Sequence, residues 1–436
     1  MSESEQVLKI SPGRTQKFPK DWKLYTLDEI SDVIDPYPSH RAPKRVSKGV
    51  PYLGIGDFDE EGNILKISRH VSSSALKEQK ETFSLKKGDL ALGRVASIGK
   101  VVKLNPKQNY TISPTLAIIQ PKIKPDFLRQ VMLESYFQDQ LIANVHGSTR
   151  SSVGIQKVRQ IIIGVPKENE IEKISEILTN LESQQKIYEE IGQQTKNLKD
   201  GLIKKLFTKG IKHKKFKKIK IGIRKEIEIP EEWTLSNINK ILSKEKYSIK
   251  RGPWGGSLKK EFFVKNGFKV YEQKNAIYND FERGNYFINN EKFEELKDFE
   301  VRPGDFIISC SGTIGKIARI PQQAKKGIIN QALLKISVDT EIIEPNFFME
   351  LFQTPSIQKL FSGLTHGSAM KNVLSISELK NISLKLPPIK EQQKIVSILT
   401  DIDSKIDEFK TKKTLFQNLR KGIMKNLLTG QIRVTI

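Results

Sequence analysis

The segment of this sequence that most invites a chemical reading is a glycine-rich turn ending in lysine. Gly93 and the pair Gly99-Lys100 follow an apolar run, as they would in a loop that cradles a nucleoside triphosphate. Such a loop needs four residues between its glycines and a Ser or Thr after the lysine. Its backbone N–H groups must converge on phosphate, and the hydroxyl must reach a metal ion. Here five residues intervene and Val101 follows; a second occurrence, at Gly312, Gly315 and Lys316, departs further. A β-hairpin with a glycine turn is expected instead. The histidines (His40, His70, His146, His213 and His366) show no H-E-x-x-H and no paired metal-ligand spacing. A methyltransferase acting on adenine would carry an Asn/Asp-Pro-Pro-aromatic loop. Asp35-Pro36-Tyr37-Pro38 lacks the adjacent prolines and Asn105-Pro106-Lys107 lacks the aromatic, so both read as turns. Cys310, the only cysteine, allows no intrachain disulfide and suits a reducing cytoplasm. No catalytic, cofactor-binding or metal-ligating set emerges, and the chain is expected not to be an enzyme on its own.

What remains is charge. The 436 residues carry a formal net charge of +24, which calls for a polyanionic partner. A membrane surface is one such partner, but no apolar run approaches the roughly 18 residues of a spanning helix. The N-terminal residues lack the apolar stretch of a secretory signal. Double-stranded DNA and a cytoplasmic location are expected. Lys and Arg on phosphates would position the chain; Arg, Asn, Gln, Ser and Thr in a groove would read bases. The candidate DNA-contacting residues in the first half are Arg41, Lys44, Arg45, Tyr52, Arg94, Lys100, Ser148, Thr149 and Arg150. In the second half they are Lys250, Arg251, Trp254, Ser257, Lys259, Lys260, Lys316, Ser368, Lys371 and Asn372. For any one basic residue the alternative is a solvated surface charge, and for Trp254 it is core packing. The basic run 212–218 either touches phosphates or is a solvated linker.

These candidates fall in two copies of one unit. LKDGLIKKLFTKGI (198–211) faces LRKGIMKNLLTGQI (419–432) at an offset of 221 that holds without a gap back to Pro166 and Pro387. Upstream, FPKDWKLYTLDEI (18–30) faces IPEEWTLSNINKI (229–241), GDLALGRVASIGKV (88–101) faces GDFIISCSGTIGKI (304–317), and HGSTR (146–150) faces HGSAM (366–370). The offset drifts from 211 to 221, so insertions lie in the globular parts and none in the helices. LALGRV, LAIIQP, FIISCS and ALLKIS read as strands; 125–142 and 345–361 read as helical. The expected class is α+β: two repeated α/β domains separated by two long helices that form an antiparallel coiled coil. The boundaries are a flexible tail 1–17, a domain 18–165, its helix 166–209, a basic linker 210–228, a second domain 229–386, and a helix with tail 387–436.

Pro166 and Pro387 fit helix starts, and Gly210 and Gly430 fit helix ends. A heptad-like seam runs Ile174, Ile177, Leu181, Gln184, Tyr188, Ile191, Thr195, Leu198, Leu202. Its counterpart runs Ile395, Ile398, Ile402, Lys405, Phe409, Lys412, Phe416, Leu419, Ile423. About forty residues make a rod of about 60 Å, longer than one such domain needs. A pseudo-twofold pairing of the rods would place the domains at opposite ends.

Together these features resemble the specificity subunit of Type I restriction–modification systems over nearly the whole chain. The most specific elements are LPPIKEQQKIVSILTDID (386–403) and the LTG ending at 428–430. RGPWGGSLKK (251–260) looks like the glycine-rich opening of one subtype of target-recognition domain; the first copy has PYPSHRAPKR (36–45) there instead. Its helix start, VPKENEIEKI, also departs, lacking the second proline and the Glu-Gln-Gln. The resemblance implies that each domain reads one half of a bipartite DNA target. It implies that the helices set the spacer and dock two methyltransferase subunits, which methylate adenine N6. Two restriction–translocase subunits would join through them. S-adenosylmethionine, ATP and Mg would belong to those partners and none to this chain. The alternatives are a self-contained methyltransferase or nuclease, a non-specific nucleic-acid-binding structural protein, and a specificity subunit of a methyltransferase–nuclease outside Type I.

Overall fold

In a computed structural model, the described residues are 5–11, 13–38, 42–145, 151–221, 225–362 and 375–435. They form two compact units, Met1–Ile191 with Phe409–Ile436, and Gly192–Glu408. The two long helices, Glu168–Lys209 and Ile389–Leu428, each give one half to each unit. They start two residues after Pro166 and Pro387, within the usual uncertainty of a helix boundary. They end at Gly210 (φ +64°) and near Gly430 (φ +69°), in the left-handed conformation that closes a helix.

In the first unit, Ser31–Ile34, Leu116–Pro121, Leu90–Gly93 and Val101–Lys103 make an antiparallel sheet in that spatial order. A smaller sheet of Thr111–Ile112, Val50–Leu53, His70–Val71 and Arg45–Val46 contains a parallel pair, Thr111 opposite Tyr52. Strand Lys23–Thr26 pairs with Ile162–Val165 and so brings the two ends of the globular part together. The apolar run at 125–142 breaks into Pro125–Leu133 and Ser135–Ala143 at the extended Glu134. The core gathers Leu90, Leu92, Phe127, Val131 and Phe137 with Ile171, Ile174 and Leu178 of the first long helix. Met424, Leu427 and Leu428 of the second long helix join them.

The second unit repeats this plan. Its antiparallel sheet runs Ile249–Arg251, Leu333–Ile336, Phe306–Ser309, Ile317–Arg319, and Thr234–Asn237 pairs with Ser383–Leu386. The smaller sheet again holds a parallel pair, Lys269 opposite Gly327. Helices Pro345–Gln353 and Pro355–Ser362 break at Thr354. Leu206 and Phe207 of the first long helix, and Ile395 and Leu399 of the second, complete the core. Each core therefore takes the start of one long helix and the end of the other. Full burial of a Leu or Phe stabilises by about 1.5–3 kcal/mol, so neither helix half is dispensable to its unit.

Two expected irregular segments are β-hairpins. The residues read as a loose tail pair Glu5 with Pro19 through Lys9 with Thr15, and Leu8 is buried in the core. The residues read as a solvated linker contain Phe216–Ile221 paired with Lys225–Pro230. There Lys218 stands opposite Glu228 and Lys220 opposite Glu226, which puts opposite charges at cross-strand neighbours. The end of that basic run is therefore strand, and the hairpin has the same place before the second unit that the first hairpin has before the first.

The seam also differs from expectation. Gln184, Lys405, Lys412, Leu198 and Leu419 are exposed, and Glu182, Gln185 and Lys199 turn inward instead. In the first unit Tyr188 meets Phe416 at 5.8 Å, Glu189 meets Lys413 at 3.0 Å, and Gln185 meets Arg420 at 3.1 Å. In the second unit Lys199 donates to both oxygens of Asp403 at 2.7 Å. Partner numbers fall as helix numbers rise, so the two helices run antiparallel in each unit. The polar seam contacts follow the repeat: Glu182 and Arg420 lie at the offset of Asp403 and Lys199, with Arg420 4.0 Å from Glu182.

Candidate nucleic-acid interface

The two glycine–lysine segments are the tips of antiparallel hairpins. Gly93 donates its N–H to Lys100 and Ser309 donates to Lys316, each at 2.8 Å. Gly99 and Gly315 sit at φ +84° and +83°. Each accepts a hydrogen bond on its carbonyl from a helix glutamine, Gln138 at 2.9 Å and Gln358 at 3.1 Å. A side chain at either glycine would collide with that glutamine. The turn is a clamped structural device with no N–H cradle leading into a helix. These glutamines escaped the sequence reading although they occupy matching places in YFQDQLI and SIQKLF.

The predicted DNA-contacting residues divide into three groups. Arg41, Ser148, Thr149, Arg150, Ser368, Lys371 and Asn372 lie outside the described residues. A second group is engaged by contacts within the fold. Arg94 is buried and donates to Asp35 at 2.9 Å and weakly to the Leu116 carbonyl at 3.4 Å. Tyr52 is buried with its hydroxyl 3.5 Å from Ser113 and its ring beneath the Arg69 guanidinium at 5.2 Å. Lys100 is exposed, but its ammonium donates to the carbonyls of Ile55 and Phe58 at 3.2 and 3.3 Å. Lys250 lies over the Tyr247 ring at 4.0 Å and 3.5 Å from Asp298. Removing buried Arg94 would take from Asp35 its charged partner, the expected cost of breaking a paired internal charge.

A third group is exposed. In the first unit it comprises Lys44 and Arg45, beside a short edge strand on which Arg45 pairs with Val71. In the second unit Arg251, Trp254, Lys259, Lys260 and Lys316 are exposed and Ser257 is half-buried. These follow the strand Ile249–Arg251 or close the hairpin at Ile317, so a sheet end positions them. Arg69 was missed by the sequence reading. Asp57 grips it at 2.7 Å, and that Asp also caps the Gly54 N–H at 2.8 Å, so one carboxylate organises the loop.

The interior of the first unit holds a strongly polar node. Glu182 accepts both oxygens' worth of hydrogen bonds from Arg129 at 3.0 and 2.9 Å, and one from Gln130 at 3.0 Å. Burial works to raise the Glu182 carboxyl, but the bonds and charge of Arg129 and the charge of Arg420 outweigh it and hold it below the usual carboxylate range. The only thiol, Cys310, is buried, and burial pushes it up to about 12, so it is no ready nucleophile. Among the described residues no three His, Cys, Asp or Glu side chains converge as a metal site, and no helix is long and apolar enough to cross a membrane.

The model of the Type I restriction modification DNA specificity domain matches twice, at residues 19–199 and 230–415. The type I restriction enzyme MjaVIII specificity subunit of Methanocaldococcus jannaschii is 24% identical over 432 residues, covering 96% of this chain and 94% of its own. A second protein of that organism, provisionally named the MjaX specificity subunit of a type I restriction enzyme, is 28% identical over 436 residues, with 96% and 95% covered. A solved chain, described for complex assembly and conformational transition of the type I R-M system, aligns at a TM-score of 0.61 with 16% identity. It covers 95% of this chain and 99% of its own, and it supports the fold.

Proposed function

The chain belongs to the Type I restriction modification DNA specificity family, and from that premise we propose how its two copies divide the work. It is the sequence-reading subunit, and its doubled domain fits a target in two halves. The observation that carries this reading is the contrast between frame and surface. The two larger sheets share strand order, clamped turns and helix breaks, while the loops at 36–45 and 251–260 differ in most of their sequence. The first half-site is read from the loops bearing Arg41, Lys44, Arg45 and Ser148–Arg150. The second is read from Arg251, Trp254, Ser257, Lys259, Lys260 and Lys316, with Ser368, Lys371 and Asn372. Lys and Arg on phosphates supply much of the affinity, and it falls steeply with salt.

The long helices set the distance between half-sites and dock methyltransferase subunits. Support comes from Leu198 and Leu419, repeat equivalents that are 57% and 53% exposed. Leucines bared at matching places suit two copies of one partner, and two restriction subunits join through these. The chain itself is not catalytic. S-adenosylmethionine, ATP and Mg are held by the partners, and the complex works in the cytoplasm, where the DNA is.

Single-molecule sequencing of methylated adenines, in a host carrying this chain with its methyltransferase, tests the reading. Two short words at a constant gap are expected. A contiguous word, or methylation indifferent to sequence, would sink it.

A further inference from the structure

Trp254 is 90% exposed, whereas the other two tryptophans, Trp22 and Trp233, are 2% and 0% exposed. Its loop is held on both sides. Before it, Gly252 donates to the Leu333 carbonyl at 2.9 Å, and a Cβ on it would fall 1.8 Å from the Asn330 carbonyl oxygen. Pro253 is buried. After it, the Ser257 N–H donates to the Trp254 carbonyl at 2.8 Å, and Leu258 is anchored in the apolar cluster around Phe293. The indole therefore stands on a preformed turn and has no pocket of its own. Exposed Arg251 precedes it, and exposed Lys259 and Lys260 follow. The corresponding loop of the first copy has Tyr37, which is buried among Tyr52, Val71 and Ala75.

A rigid apolar apex flanked by cations matches a duplex at close range, with phosphates outside and base faces inside. Flat apolar side chains enter DNA by wedging between bases, and aromatic rings stack on any base face. Resting on the DNA-reading function proposed above, we propose that Trp254 is a stacking wedge of the second recognition domain. Its indole enters the second half-site and packs on a base opened from its neighbour, while Arg251, Lys259 and Lys260 hold the flanking phosphates. The first domain reads its half-site without such a wedge.

Because the other tryptophans of the chain are buried, the difference in acrylamide-quenchable emission between wild-type and Trp254→Phe complexes reports Trp254. The chain bound to its methyltransferase is titrated with duplexes carrying the methylated target, with 2-aminopurine stepped through each half-site. Target duplex should shield the indole from acrylamide. It should also raise 2-aminopurine emission at one position, in the second half-site only. Trp254→Ala should weaken target binding roughly ten- to hundredfold, the range of base–aromatic stacking, with an unchanged unfolding midpoint, and Trp254→Phe should recover most of it. Three results overturn the proposal: target binding that leaves acrylamide access unchanged, a Trp254→Ala chain with wild-type affinity and specificity, or shielding by methyltransferase without DNA. The DNA-reading function fails separately, if the wild-type complex prefers no duplex over another, and the wedge falls with it.

Discussion

At the scale of residues, the repeat supplies its own controls. Ala96 sits at φ +61° at the tip of the first clamped hairpin, where the second copy has Gly312 at φ +59°. A Cβ in that region costs about 1–2 kcal/mol, part of which glycine returns through the greater freedom of its unfolded chain. Ala96→Gly is therefore expected to stabilise by about 0.5–1 kcal/mol, read as a shift of the urea midpoint of the first unit. Glu182 makes the opposite case. It is buried against Arg129, and Glu182→Gln leaves two arginines without their carboxylate, a loss of about 3–5 kcal/mol. Its lowered folded value gives the sign of the pH effect. The stabilisation is complete above the ordinary carboxylate value of 4.5 and is lost as pH falls below it. The wild-type chain should lose stability below that pH more steeply than Glu182→Gln in parallel denaturation series.

At the scale of elements, the long helices carry two expectations. Leu198→Lys and Leu419→Lys should each remove one methyltransferase from the complex, and the pair of substitutions both. Native mass spectrometry reads this as a step from two copies to one to none, and retention of two copies in the double variant would place the docking surface elsewhere. Four residues inserted in each helix add about 6 Å, and base pairs rise about 3.4 Å. The gap between methylated half-sites should then change by one or two base pairs, and sequencing of methylated adenines measures it.

What the sequence made legible at this scale depended on repetition and apolar period. The strands LALGRV, LAIIQP, FIISCS and ALLKIS all appear where expected, because each is apolar enough to be a core strand. The hairpins at 5–19 and 216–230 were missed because their alternation is between apolar and charged residues, which also reads as a solvated segment. In the second hairpin the facing glutamates, Glu226 and Glu228, distinguish the two, and which residues face each other depends on the register. Seam positions were misread for a similar reason. Glu182 looks like a surface residue until Arg129, fifty-three residues away, supplies its partner. Among interface candidates, side-chain direction sends Arg94 and Tyr52 inward, and spacing alone does not carry direction.

At the scale of the whole molecule, a basic chain of +24 with two copies of one frame combines sequence-independent affinity with two separate words. Reading should be modular, and the structure refines where the modules join. A recognition module that begins at Phe18 would leave Leu8 against a foreign core, so the exchangeable piece starts with the hairpin at Glu5 and ends at Val165. The most direct measurement is to replace residues 5–165 with the corresponding piece of a relative of known target, and to sequence methylated adenines in the host. The first word should become the donor's, while the second word stays the same and the gap holds within a base pair. A change in both words, or in neither, would contradict the division of reading between the two copies.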